Sequence, residues 1–482
     1  MRALAIVLVL LVGCGGKHAG KTGPGAVATV FPSARWVPAK ATYVVSARSF
    51  RDAQRGFADL VDTVGVVLGM DARDISAIMQ LVLQVDVLSA DAMAAIGIDP
   101  DGSSVMFSEN LEPTFVLHLR SADALHGFFD KQRERGLVSS SVVVDGVPVQ
   151  TAKLPKGMQL SWAIDKEWLW VHLANGDAGT AWFEHSRHPA DTEWVAKWEN
   201  AKPLATKPAG LIGFVDVRIV LAELAARVPA LHACSLLVEP VTSAGFVVES
   251  EGSFAGGKLG LQIGASAGSV ASKLLAPPPG WNLAAQKAPL SAQWNLDLKA
   301  VTSWLAPCAR AFNEDLGFVD QFGVRTGRAF VYSLDVDDKS GTGAIALDLT
   351  NRRYFAQLLD QVPLRSKFER NRMFGAYKGK HLSVPFVATA DYVLDDRVFI
   401  AAMGDGILDR VANGNAPAQP AVLAVDIVPS GLPAGVWQWL LTQAGFSSAK
   451  QITERLRAWK DIHVWARLEG QTLVIEAAGN RR

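Results

Sequence analysis

The strongest constraint on this chain of 482 residues is that it runs twice through one pattern at a fixed spacing. Phe115-Val116-Leu117-His118-Leu119 and Ile345-Ala346-Leu347-Asp348-Leu349 each read as a short strand, with an offset of 345 − 115 = 230. Each is followed by a polar helix start, Ser121-Ala122-Asp123 or Thr350-Asn351-Arg352, and then by an amphipathic helix. Within those helices Phe128-Phe129-Asp130 falls opposite Leu358-Leu359-Asp360 at the same offset. The offset returns at Asp165-Lys166-Glu167-Trp168-Leu169-Trp170 against Asp395-Asp396-Arg397-Val398-Phe399-Ile400, each a charged turn entering a buried strand. A register held over separated segments marks an internal repeat, in which one unit is copied with its core.

Flanking pieces correspond with small changes of offset, as loop insertions produce. Gly97 and Val105-Met106-Phe107 match Gly323 and Val331-Tyr332-Ser333, and Leu211 to Asp216 match Ala421 to Asp426. A final hairpin from Phe246 to Ile263, turning at Gly256-Gly257, matches one from His463 to Ile475 turning at Glu469-Gly470. The copies meet at Ala276-Pro277-Pro278-Pro279-Gly280, a stiff linker. Strands that mostly alternate and return through short turns predict an α+β fold. It has two tandem related modules, residues 36–275 and 281–482, each a mainly antiparallel sheet with helices packed on one face.

The amino terminus specifies a location. Met1-Arg2 precedes an apolar run from Ala3 to Val12 that is too short for a permanent membrane span, the layout of a secretory signal. Leu11-Val12-Gly13-Cys14 resembles the lipobox of bacterial lipoproteins. The resemblance implies a signal peptide of residues 1–13, cleavage before Cys14, a diacylglyceryl group on its sulfur and an acylated amino terminus. Gly15, where aspartate would retain an enteric lipoprotein in the inner membrane, implies the outer membrane by the same resemblance. Residues 14–35, rich in Gly with Pro24 and Pro32, read as a flexible tether. The opening of the body, Pro38-Ala39-Lys40-Ala41-Thr42-Tyr43-Val44-Val45, is similar to a domain family of unknown function in exported bacterial proteins, which implies no activity.

Charge excludes one class of partner. The chain carries 47 basic and 47 acidic residues without a basic arm, which argues against nucleic acid. Hydrophobic residues make up 49% of it, enough for packed cores. The most apolar stretch after the leader, Leu60 to Leu83, is broken by Asp62, Asp71, Arg73 and Asp74 and reads as two buried helices. Turned outward, it would suit a carrier of lipid or other hydrophobic cargo. Cys234 and Cys308 are the remaining cysteines, and an oxidising envelope permits a disulfide that would link the two halves.

Several patterns invite an enzymatic reading and fail on context. Gly264-Ala265-Ser266-Ala267-Gly268 fits a nucleophile elbow and would make Ser266 the nucleophile of a hydrolase. The matching strand of the second copy ends Ala477-Ala478-Gly479 without a serine, and neither His381 nor His463 has an obvious orienting carboxylate in sequence. His185 and His188 could approach a zinc ion, but Glu184 lies outside the pair and Pro189 ends any helix. Asp335 to Gly341 has Lys339 and Ser340 where a calcium loop needs an oxygen ligand and glycine, so a hairpin turn explains it better. Trp162, Trp168, Trp170, Trp182, Trp194 and Trp198 could stack on glycans, although large aromatics mostly bury. The sequence therefore predicts a lipid-anchored envelope protein that is not an enzyme and uses no cofactor. Its role is binding or scaffolding, toward a protein, a glycan or a lipid.

Overall fold

The structure is a computed structural model. It describes residues 31–482 apart from 39, 57, 59–79, 81–83, 110, 155–156, 189–209, 235–240, 252–253, 264–273, 276–287, 313–315, 317–321, 336–339, 363–364, 385–387, 413–421, 444–448 and 470–471. These residues divide into two compact units. The N-terminal unit comprises described residues up to Arg227 together with Val241–Gln262, and the C-terminal unit comprises those of Val228–Pro240 and Ile263–Arg482.

The N-terminal unit is built on β1 (Tyr43–Ala47), β2 (Ser104–Ser108), β3 (Pro113–His118), β4 (Ser139–Val144) and β5 (Val147–Lys153). It continues with β6 (Met158–Asp165), β7 (Trp168–Asn175), β8 (Leu211–Val215), β9 (Val241–Glu251) and β10 (Phe254–Ile263). Pairing gives the order β4-β5-β6-β7-β3-β2-β1-β8-β9-β10, antiparallel in every register described.

The C-terminal unit carries β11 (Leu290–Trp294), β12 (Val324–Asp335), β13 (Ser340–Leu349), β14 (Glu369–Phe374) and β15 (Tyr377–Val384). Then come β16 (Ala388–Leu394), β17 (Val398–Met403), β18 (Leu423–Ile427), β19 (Trp459–Glu469) and β20 (Thr472–Arg481). Their order, β14-β15-β16-β17-β13-β12-β11-β18-β19-β20, reproduces the first with every strand advanced by ten. Registers agree as well. Val116 pairs Trp170 and Ala346 pairs Ile400; Gln150 pairs Trp162 and Lys380 pairs Tyr392. Both members of each pair differ by 230. Gly97 and Gly323 both hold positive φ, and each carbonyl accepts the backbone N–H of Arg120 or Thr350, the residue leading into the helix. Glycine is needed there because a side chain is strained at that φ.

Helices cover both faces of each sheet, where cover on a single face was expected. In the N-terminal unit the helix Ala122–Glu134 is capped by Ser121, whose side chain accepts from Ala124 N. It stacks Phe129 on Trp162 at 4.6 Å. The helix Ala181–Arg187 sets Phe183 edge-on to Trp170, 5.4 Å away. Trp162 lies beside Val171 and Ala163 beside Trp170, so the two tryptophans point to opposite faces. The C-terminal unit repeats this, with Phe355 stacked on Phe399 on one face and Ile407, Leu408 and Val411 against Ile400 on the other. Strands such as Trp168-Leu169-Trp170-Val171, apolar at consecutive positions, need cover on both sides.

One local expectation is corrected. β9 ends at Glu251 and β10 begins at Phe254, so Gly256 and Gly257 sit inside β10. Cys234 and Cys308 are bonded, joining the short 3-10 helix Pro229–Cys234 to the helix Leu298–Ala311, and both belong to the C-terminal unit. The bond therefore joins residues 36–275 to residues 281–482, as the sequence suggested, and the short helix that carries Cys234 packs with Leu305 and Phe312 beside Cys308.

Candidate functional site

Equivalent positions of the two sheets differ in polarity where β1, β2, β8 and β9 correspond to β11, β12, β18 and β19. In the N-terminal unit Val44 lies between Phe107 and Phe214, and Phe214 beside Gly245. Val44, Phe107 and Phe214 are fully buried. The same row of the C-terminal unit reads Phe330, Ser291, Asp426, His463. The adjacent row changes from Val105, Ser46, Ile212, Val247 to Arg328, Gln293, Ala424, Trp465. A mainly apolar face on one frame corresponds to a more polar face on the other.

The polar groups of this face are held by one another. Ser291 Oγ donates to Asp426 Oδ2 at 3.2 Å, and His463 Nδ1 lies 2.7 Å from Asp426 Oδ1. The other ring nitrogen, Nε2, faces Asp461 Oδ1 at 3.5 Å, and Asn480 Nδ2 donates to that same oxygen at 2.7 Å. Asp461, His463, Trp465 and Arg467 alternate along β19 and therefore share a face. The Trp465 indole lies nearly parallel to the His463 imidazole, with centroids 5.4 Å apart. Arg467 donates to Glu469 and, at 2.7 Å, to Glu476. Burial lowers the Arg467 pKa, but the hydrogen bonds and charges of those two carboxylates outweigh it and leave it raised. Arg328 is buried and donates to Gln293. Its burial lowers its pKa, against the pull of Asp426.

The opposite face of these strands is apolar. Leu290, Val331 and Ile427 pack there with Leu432, Val436 and Trp437, from the helix Ala434–Gln443 and the turn before it. The helix thus supplies a rigid backing, while the side chains of Asp426 and His463 remain 43% and 34% exposed. Both oxygens of Asp426 are engaged, and Ser291 and His463 share it as acceptor, so no histidine here polarises a serine hydroxyl. What the arrangement offers is a set of fixed donors and acceptors around an aromatic plane.

A second polar substitution lies on the same sheet. Thr151 and Ser161 bond through their hydroxyls at 3.1 Å, and the positions 230 further on hold His381 and Asp391, with Nδ1 2.6 Å from Oδ1. Asp391 is buried, and His381 is partly exposed. Both histidines described in the sequence as lacking a carboxylate thus have one, supplied across the sheet.

The other residues singled out in the sequence disperse. His185 pairs with Glu109 at 2.9 Å and His188 with Asp145 at 3.0 Å. Among the described residues no three ligating side chains gather around a metal-sized position. Trp162, Trp168, Trp170 and Trp182 are buried. Trp170 Nε1 donates to Ser186 Oγ at 2.9 Å, and Ser186 in turn donates to the Trp36 carbonyl at 2.8 Å, a core network and not a platform. Asp335 and Ser340 pair directly as the ends of β12 and β13, as a hairpin requires. Cys14, Ser266, Trp194, Trp198, residues 336–339, the 276–280 linker and all of Leu60–Leu83 but Gln80 lie outside the described residues.

His172 is the most perturbed histidine described. Burial pushes its pKa down to about 4, only partly opposed by Glu112 3.9 Å away. Its Nδ1 bonds Thr114 Oγ1 at 2.8 Å, and its ring stacks on Trp182 at 4.8 Å. A neutral imidazole enclosed in this way is a core residue.

No protein family and no curated protein matches the chain. Among solved structures it is distantly similar to TP0453 of Treponema pallidum. Crystal form III of that protein is 9% identical, with 52% of this chain and 88% of that chain covered at a TM-score of 0.27. Crystal form IV is 7% identical over 52% and 87%, with a TM-score of 0.28. A likeness this remote adds nothing to the functional argument.

Proposed function

We propose that the protein is a lipid-anchored lipoprotein of the bacterial cell envelope whose C-terminal sheet binds a glycan without catalysis, its two units being diverged copies of one module. The observation that carries the binding role is the exchange of Val44, Phe214 and Gly245 for Ser291, Asp426 and His463 at paired positions. A row that needed only to pack has gained fixed hydrogen-bonding groups beside Trp465. Sugars are recognised by such groups, with an aromatic face taking the C–H side of the ring. Ser291 and His463 both turn to one carboxylate, which supports holding a ligand over attacking it. The anchor rests on Leu11-Val12-Gly13-Cys14. Among the described residues no helix is long and apolar enough to cross a membrane.

Calorimetric titration with soluble peptidoglycan glycan-strand fragments tests the binding role. Asp426→Asn and Trp465→Ala are expected to weaken binding by roughly tenfold or more each, the loss of a charge-assisted hydrogen bond or a stacked aromatic. Binding unchanged in both variants, or absent from the native chain, removes the glycan reading. Mass spectrometry of protein from its native host tests the anchor, with a diacylglyceryl-modified Cys14 at the amino terminus as the expected species.

A further inference from the structure

The two sheets end on equivalent strands, β4 and β14, and treat that exposed edge in opposite ways. Among the described residues β4 pairs only with β5, and β14 only with β15. An edge strand offers unpaired backbone donors and acceptors to any extended chain, and proteins usually guard it with charge. β14 is guarded. It reads Glu369-Arg370-Asn371-Arg372-Met373-Phe374, with Arg372 bound to Asp409 at 2.6 Å and Glu369 flanked by Arg365 and Lys380. β4 reads Ser139-Ser140-Ser141-Val142-Val143-Val144 and has no charge, no proline and no described bulge. Val138, Val142 and Val143 are 83%, 56% and 69% exposed. Neighbouring strand residues point to opposite faces, so Val142 and Val143 expose apolar surface on both sides of the edge.

We infer that β4 is the contact strand of a two-fold dimer, pairing antiparallel with β4 of a second copy of this chain. Asp145 and Gly146 both hold positive φ, a two-residue hairpin turn that makes Val144 and Val147 its closing hydrogen-bonded pair. By alternation Ser140 and Val142 direct their backbone groups to β5, and Ser139, Ser141 and Val143 direct theirs outward. A two-fold axis at Ser141 then sets Ser140 opposite Val142, Ser139 opposite Val143 and Val138 opposite Val144. No charge is buried and no like charges meet. The same operation on β14, centred on Asn371, sets Arg370 against Arg372, and that repulsion selects the N-terminal edge. One strand pair falls short of the ~1,000 Å² of a stable interface. The dimer is therefore weak and concentration-dependent.

Matched cysteines test it. In the full chain carrying Cys14→Ser, Ser141→Cys or Asn371→Cys places one free thiol at the same position of either edge. Under mild oxidation at ~0.1 mM protein, Ser141→Cys is expected to give disulfide-linked dimer at least about tenfold faster, since facing thiols have an effective concentration of order mM. Adding Val142→Lys and Val143→Lys is expected to abolish that difference with the thermal melt unchanged. Equal rates for the two thiols overturn the proposal. So does a monomer whose exposed valines instead carry it to phosphatidylglycerol vesicles in a flotation assay, which would make the edge a lipid contact.

Discussion

Val44, Phe214 and Gly245 in one unit and Ser291, Asp426 and His463 in the other occupy the same places on strands paired in the same order. Backbone hydrogen bonds are indifferent to side chains, so the frame survives a change from oily to polar, and what changes is the cover. The N-terminal row is sealed from solvent, whereas Asp426 and His463 keep part of their surface. The comparison teaches that one strand order can carry either a packed apolar row or a part-exposed polar one, provided the other face stays apolar. Leu290, Val331 and Ile427 supply that condition here.

Exchange of the two residues puts the comparison at greatest risk. Phe214→Asp places a carboxylate in a dry row and removes an aromatic, which should cost about 5 kcal/mol or more and unfold the N-terminal unit. Asp426→Phe should cost the C-terminal unit no more than about 1.5 kcal/mol, because its site is part-exposed. Urea titrations followed by circular dichroism read both. Similar losses in the two units would mean that the polar row is core after all.

Loss of the Cys234–Cys308 bond, by paired substitution to alanine, should lower the stability of the C-terminal unit by up to about 4.5 kcal/mol, the loop-closure value for a separation of 74 residues. The N-terminal unit should be unmoved in the same titration. Acid should act on the other unit. His172 titrates near 6.5 when unfolded and about 4 when folded, so the unfolded chain binds the extra proton between those values. Stability contributed by the neutral imidazole is complete above about pH 6.5 and falls as the pH drops to about 4, by at most about 3 kcal/mol. The equivalent position is Ala402, which has no such group. His172→Gln should flatten this acid sensitivity in urea midpoints measured at intervals from pH 7 to 4. The smallest expected effect is at the paired helix starts. Ser121 accepts from Ala124 N, and Asn351 Oδ1 from Arg353 N. Alanine at either should cost about 1 kcal/mol, with the two losses alike.

The part of the fold most legible in the sequence was the block from β3 to β7. Its loops match in length in both units, so a single offset ran through strand, helix and meander without interruption. Outside it, apolar residues were matched to apolar ones. Likeness of type sets Val105 against Val331, although the shorter run from Gly323 carries Arg328 to the equivalent place. It likewise sets Asp426 against Asp216, when the register puts Asp426 opposite the site of Phe214. Likeness of residue type carries no trace of a polar-for-apolar exchange, so the candidate site is legible only in the strand register. The His381–Asp391 and His463–Asp426 pairs escaped for a related reason. Their members meet through cross-strand register, at separations of 10 and 37 residues that follow no local motif.

The segment bearing Cys234 leaves the N-terminal unit after Arg227, is stapled into the C-terminal unit, and returns at Val241 to supply β9 and β10. The two units are thus interleaved along the gene. A break in the triple-proline stretch, the natural place to divide this chain for expression, would not yield two self-sufficient halves. The upstream fragment would carry an orphan thiol and a short 3-10 helix stripped of its packing partner. The downstream fragment would lack the residues that Leu305 and Phe312 close over beside Cys308. Whatever divides or recombines this protein must carry the helix Pro229–Cys234 with the half it packs into.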